Sequence, residues 1–199
     1  MKMNKLITGI IAVAVIIAVV VLVYVNLPSQ PSSNGDNTTP PPTTRYPILN
    51  ITYNDYHVNY TLSELEAFPT STGEGSYLKV NRLPNVSISG PNEYTGVTIS
   101  YLLSQIPNLP TNFSITATST DDYTVNYNTS QIQGNVEIYD ESGNITGIGN
   151  VTMLVAYKED GEYIPGTEDG PVRIVFVDDG QITPSPLWAK MVESLIITD

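Results

Sequence analysis

The sequence predicts an α+β domain, a β-rich mixed sheet with short helices, carried behind one transmembrane helix. Three observations predict it. Leu6 to Val25 is a run of twenty residues without a charge, which at about 1.5 Å per residue crosses the ~30 Å hydrocarbon core of a bilayer. After residue 46 the chain breaks into short segments of alternating apolar and polar residues separated by Asn, Asp, Gly and Pro, the pattern of strands and turns. Two short stretches depart from that period, with apolar residues at helical spacing behind a threonine able to cap them.

Lys2 and Lys5 precede the apolar run, and no Lys or Arg follows until Arg45. The positive-inside bias therefore places the amino terminus in the cytoplasm and everything after Asn26 outside, as a single-pass protein of the cell membrane. A cleaved leader has an apolar core of about 7–15 residues ending in a small-residue cleavage site. Here the run is longer and ends Val-Tyr-Val-Asn-Leu-Pro, so an uncleaved anchor over 1–26 is expected. Residues 27–45 are rich in Pro, Ser, Thr and Asn without apolar periodicity and read as a semi-extended linker, leaving 46–199 as the folded ectodomain.

Within that domain Leu49, Ile51 and Tyr53 alternate with Asn50 and Thr52, Asn54-Asp55 interrupts, and Val58 and Tyr60 resume, which reads as a hairpin. Thr61-Leu62-Ser63-Glu64 is a capping box opening a short helix with Leu62, Leu65 and Phe68 on one side, stopped by Pro69. Gly73-Glu74-Gly75 reads as a loop, and Tyr77 to Val80 and Val86 to Ile88 as short strands separated by Leu83-Pro84. A strand ending in a turn at Gly96 comes next. Thr98 then caps a second helix striped by Ile99, Leu102, Leu103 and Ile106. Phe113, Ile115 and Ala117 alternate, Asp121-Asp122 turns the chain, and Tyr123, Val125 and Tyr127 return. Val136 and Ile138, then Met153, Val155 and Tyr157, read as strands punctuated by Glu141-Ser142-Gly143-Asn144 and Glu159-Asp160-Gly161. Val172 to Val177 is nearly continuous apolar β and predicts a central strand covered on both faces, ended by Asp178-Asp179-Gly180. Trp188 to Met191 reads as a helical turn and Leu195 to Ile197 as the last strand.

Composition excludes several chemistries. All 20 acids but only six of the eight Lys and Arg follow the anchor, so the domain repels nucleic acid and anionic headgroups, and its membrane contact is through Leu6–Val25. Cysteine is absent and His57 is the single histidine, which rules out a disulfide framework, a cysteine or multi-histidine metal site and a cysteine nucleophile. His57 lies in Asn54-Asp55-Tyr56-His57-Val58 with no nucleophile motif beside it and reads as a strand residue, so no catalytic residue is assigned. The doublets Asp121-Asp122, Glu159-Asp160, Glu168-Asp169 and Asp178-Asp179 read as turns, because neighbours on a strand face opposite ways and make no catalytic dyad. Asp140-Glu141-Ser142-Gly143-Asn144 starts like a calcium loop, but Ile145 stands where the sixth-position Gly belongs, so no metal residue is assigned. Eight sequons begin at Asn37, Asn50, Asn59, Asn85, Asn112, Asn128, Asn144 and Asn150 and are candidate N-glycosylation sites for a domain on the outer surface.

The order of elements from Thr61 onward resembles the oxidoreductase molybdopterin-binding domain family, whose fold is that of the sulfite oxidase catalytic domain. The residues that carry the resemblance are Thr61-Leu62-Ser63-Glu64-Leu65, Tyr94-Thr95-Gly96-Val97-Thr98-Ile99 leading into Leu102-Leu103, and Asp121-Asp122-Tyr123. Leu154-Val155-Ala156-Tyr157, Gly170-Pro171-Val172-Arg173-Ile174-Val175 and Trp188 complete it. Enzymes of that family hold molybdenum through a cysteine thiolate as well as the pterin dithiolene, and this chain has no cysteine. The resemblance thus implies the fold with molybdopterin as a possible cofactor. Three functions stay open: a non-catalytic module that binds a small ligand, a pterin or a partner protein; a molybdopterin-dependent redox protein lacking the cysteine ligand; and a structural or adhesion component of a glycosylated envelope. Candidate pocket residues are Tyr94, Gly96, Asp121, Tyr123, Arg173 and Trp188, of which Arg173 is a charge in an apolar strand that must find a partner or a ligand.

Overall fold

The first hairpin forms where alternation predicts it. β1 (Leu49–Tyr53) and β2 (Tyr56–Tyr60) pair antiparallel around Asn54, whose φ of 50° lies in the left-handed region that asparagine tolerates. The Thr61 hydroxyl accepts from the Glu64 N–H while the Glu64 carboxylate accepts from the Thr61 N–H at 2.8 Å, opening α1 (Leu62–Ala67) with the two-way cap its spacing predicts. β3 (Thr70–Arg82) and β4 (Asn85–Thr98) form a long antiparallel hairpin that feeds α2 (Ile99–Ser104), capped by Thr98. There Ile99, Leu102, Leu103 and Ile106 are all buried, as the stripe requires. β5 (Ser114–Ser119), β6 (Thr124–Asn128), α3 (Thr129–Ile132), β7 (Glu137–Tyr139) and β8 (Ile145–Ile148) follow. β9 (Thr152–Glu159), β10 (Glu162–Tyr163), β11 (Arg173–Val177), β12 (Ile182–Pro184), a 3-10 turn over Ser185–Leu187, and β13 (Val192–Thr198) complete the order.

This computed structural model describes residues 46–82, 85–165, 172–178 and 180–199, all within the unit Pro42–Asp199. The predicted anchor over 1–26, the linker over 27–45, Asn37, Leu83-Pro84, Glu168-Asp169 and Asp179 lie outside them. Among the described residues no helix is long and apolar enough to cross a membrane.

The strands make two sheets. One runs β2-β1-β13-β5-β6, with β1 and β13 parallel. The other runs β10-β9-β4-β3-β12-β7-β8, with β11 also paired to β9 and β12 parallel to β3. Leu49, Ile51, Ile115, Ala117, Tyr127, Leu195 and Ile197 of the first sheet share one core with Met153, Val155, Val172, Ile174 and Phe176 of the second, sealed by Leu62, Leu65, Leu102 and Leu103 of the two helices. A smaller cluster of Tyr94, Leu154, Ala156, Ile164, Val175 and Val177 lies on the opposite face of β9 and β11. β11 is therefore buried on both faces, as its unbroken apolar run predicts.

Three local expectations are corrected. Gly73-Glu74-Gly75 is no loop but part of β3, and Gly96 makes no turn but sits inside β4. Both errors come from reading glycine as a bend when it marks a close approach. A Cβ at Gly75 would lie 2.8 Å from the Trp188 ring and from the Phe176 carbonyl, and one at Gly96 would collide with the Val155 carbonyl. Trp188 to Met191 is not helical either. The Pro184-Ser185-Pro186 run places a 3-10 turn just before it, Ala189 bridges Ile174, and Met191 has a φ of 55°. α3, opened by an Asn128–Gln131 capping box, and β8 have no counterpart in the sequence reading.

Candidate functional site

The site begins at an irregularity in β9. Ala156 pairs with Gly96 and Lys158 pairs with Thr95, which leaves Tyr157 as an extra residue, a β-bulge. Before it, Met153, Val155 and Tyr157 face the main core while Leu154 and Ala156 face the smaller cluster. Strict alternation would send Glu159 to the main-core side. The bulge resets the parity, and Glu159 instead lies opposite Tyr94 on the side of the smaller cluster. Its Oε1 there accepts hydrogen bonds from the Tyr94 hydroxyl and the Asn92 amide, both at 2.7 Å.

Arg173 reaches the same carboxylate from β11. Alternation turns Ile174 and Phe176 into the main core and leaves Arg173 on the face of Val175 and Val177. Its register neighbours are small, Ala156 on β9 and Gly96 beyond it on β4. Nη1 pairs with Glu159 Oε2 at 2.5 Å. Arg173 is only 5% exposed, and a charge so placed persists because a carboxylate neutralises it. Burial pushes the Glu159 carboxyl up, but the hydrogen bonds from Tyr94 and Asn92 and the Arg173 guanidinium outweigh it and hold the group below the usual range. Burial first, and then the bond to this anion, push the Tyr94 hydroxyl well above the usual tyrosine range.

Trp188 forms the next wall. Its indole N–H donates to Thr183 Oγ1 at 2.8 Å, and that hydroxyl donates to the Ser76 carbonyl at 3.1 Å, so the ring is pinned to β12 and β3. Tyr77 and Tyr94 flank it with ring centroids 4.7 and 5.4 Å away. On the far side the β5–β6 turn carries Asp121 and Tyr123, and the Ser119 hydroxyl donates to the Lys190 carbonyl, tying that turn to the segment after Trp188. Together these groups enclose a cavity of about 640 Å³, completed by Lys79, Ser89, Ser185 and Met191.

The structure thus brings Tyr94, Asp121, Tyr123, Arg173 and Trp188 to one cavity. Gly96 does not line it and is packed against β9 instead. Arg173 has both of the fates its position allowed, a carboxylate partner and an adjoining cavity. Sequence reasoning missed Glu159, Tyr77, Lys79 and Lys190. Glu159 was hidden in a turn doublet, whereas Tyr77 and Lys79, two apart on one strand, carried a usable signal. His57 is an exposed residue of β2 whose Nδ1 lies 3.2 Å from the Thr52 hydroxyl, far in the chain from any cavity-lining residue. Of the sequon asparagines, Asn59, Asn112, Asn128, Asn144 and Asn150 are exposed. Asn50 is half-buried and bonded to Asn59, and Asn85 belongs to β4.

In the cavity three cations, Lys79, Arg173 and Lys190, face two carboxylates, Asp121 and Glu159, in a chain whose overall balance is 8 basic residues to 20 acidic. General acid–base work needs a group that exchanges protons near the working pH. Glu159 is held ionised and Tyr94 protonated, so neither meets that need.

No family model and no curated protein matches the chain. Among solved structures, the crystal structure of the sulfane dehydrogenase SoxCD from Paracoccus pantotrophus is similar, with a TM-score of 0.53 and 18% identity. The match covers 76% of this chain and 38% of that one. The likeness shows the fold alone. It supports a distant molybdopterin-oxidoreductase-like fold for this β-rich domain of mixed sheets and few short helices. The donor set does not fit the metal half of that cofactor. The chain has no cysteine to supply the thiolate that enzymes of the resembled family add to the pterin dithiolene.

Proposed function

We propose that the domain is a non-catalytic binding module for a small anion that carries a flat ring, displayed outside a membrane by the amino-terminal segment. One observation carries the reading: three of the six cations that follow residue 26 converge on one cavity walled by Tyr77, Tyr94 and Trp188. Cations bind the anionic group of a ligand and aromatic faces take its ring, while the Glu159 and Tyr94 pKa values are shifted away from the range in which a general acid or base works. A pterin that bears a carboxylate or a phosphate belongs to this class of ligand. The twenty-residue apolar run behind two lysines supports the display.

A molybdopterin-binding redox protein is the second reading, favoured by the fold likeness to a sulfane dehydrogenase. The test of both is elemental analysis for molybdenum and tungsten with pterin fluorescence, on full-length protein purified from its own membrane. It is joined to titration with 6-carboxypterin followed by Trp188 emission. Saturable quenching without metal supports the module. Stoichiometric metal with pterin supports the redox reading instead. Absence of metal, pterin and quenching removes both and leaves an envelope component.

A further inference from the structure

β8 is an end strand without the usual protection. It closes its sheet, and among the described residues it pairs with β7 alone. Ile145 and Ile148 stand 57% and 64% exposed. An open edge is a template for pairing with another chain, and proteins blunt it with lysine, proline or inward-pointing charge. Asn144 to Thr152 reads NITGIGNVT, with none of these. What the segment carries instead is a sequon at each end, Asn144-Ile145-Thr146 and Asn150-Val151-Thr152, with both asparagines and both threonines exposed.

The two attachment points bracket the edge closely. A strand of four residues is about 13 Å long. Asn144 closes the turn before it, with its backbone N–H donating to Asp140 Oδ1 at 2.8 Å. Asn150 lies just beyond Gly149, whose N–H donates to the Val136 carbonyl at 2.8 Å. Both side chains are thus held on ordered backbone at the ends of the unprotected strand.

We propose that Asn144 and Asn150 carry N-linked glycans that cover the β8 edge and keep it from pairing with a second copy of this chain. The proposal rests on the outward display proposed above. At each site an Nδ2–H is replaced by an Nδ2–C1 bond to a sugar. The C1–O bond to a lipid-linked phosphate donor breaks, and the amide proton leaves with the carrier phosphate. The bulky, hydrated sugar then does what charge does on other edges.

Glycopeptide mass spectrometry and sedimentation of full-length, detergent-solubilised protein from its own membrane test this. Sugar is expected at both Asn144 and Asn150. The Asn144→Gln/Asn150→Gln variant is expected to associate as its concentration rises, while Asn112→Gln sediments like the unchanged protein. Thr146→Ala/Thr152→Ala removes the same two acceptor sites and keeps Asn144 bonded to Asp140, so it gives the same readout if the asparagine variant misfolds. Sugar at Asn112 with Asn144 and Asn150 bare overturns the edge proposal and leaves the outward display standing. No sugar at any sequon overturns the edge proposal and leaves the topology reading, which rests on the apolar run, standing. Occupied sites with variants that stay monomeric overturn the edge role alone.

Discussion

On one side of β11, Ile174 and Phe176 are buried at 0% and 1% exposure among Val155, Leu102 and Leu195. On the other, beside Val175 and Val177, Arg173 is buried too, but against the Glu159 carboxylate, which also accepts from the Tyr94 hydroxyl, and next to a cavity. The first face is held by non-directional burial, which tolerates small shifts and grows with area. The second adds, to the smaller apolar cluster of Val175 and Val177, directional bonds around a buried charge, which depend on exact placement of their partners. One strand thus joins a wholly apolar face to one that also carries a buried charge beside a cavity.

Four experiments break or sharpen that contrast. Phe176→Ala should cost the most, about 3–5 kcal/mol, read as a drop of about 10 °C or more in thermal unfolding for a domain of this size. A loss below about 1 kcal/mol would show that the core relaxes, and the contrast between the faces would fall.

On the polar face Glu159→Gln should cost about 2–4 kcal/mol, because it removes the carboxylate that pairs with a buried guanidinium at 2.5 Å. Arg173→Met should cost less, since Glu159 is partly solvated and keeps Tyr94 and Asn92. The double variant should cost less than the sum of the two, which urea unfolding of all three would reveal. Simple additivity would mean that the pair does not act as a unit.

The third experiment is an acid titration. The Glu159 pKa is depressed in the folded state, so its contribution is fully present above the unfolded value and is lost as pH falls through the folded one. Unfolding free energy should therefore decline more steeply below about pH 4.5 in the unchanged protein than in Glu159→Gln. Parallel curves would remove Glu159 from the account. At the alkaline end Tyr94, with its pKa raised, contributes stability that is present below about pH 10 and declines above it.

The smallest structural effect is reserved for Lys79. It is exposed at the cavity rim, so Lys79→Ala should change stability by less than about 0.5 kcal/mol. The same variant should weaken the quenching of Trp188 by 6-carboxypterin several-fold. Unchanged affinity would mean that the cation plays no part in holding the ligand.

How far the residues spoke for themselves differed between the two faces. The apolar face was legible: Ile174 and Phe176 in a continuous β run, Leu62 and Leu65 behind a capping box, and Ile99 and Leu102 behind Thr98 follow from period and spacing. The polar face was half legible. Arg173 drew notice as a charge among apolar residues, yet its partner Glu159 looked like one half of a turn, because a bulge at Tyr157 leaves no mark on the alternation around it.

The α+β class, the capped helices α1 and α2, the doubly buried strand and the absence of thiol and multi-histidine chemistry were all readable from the residues alone. These depend on neighbours within a few positions or on composition alone. Tertiary structure decided what Gly75 and Gly96 are for, which way Glu159 points, and that Lys79, Arg173 and Lys190 meet in one cavity. Each of those depends on strand register between residues distant in the chain, and a shift of one residue reverses which face a side chain joins.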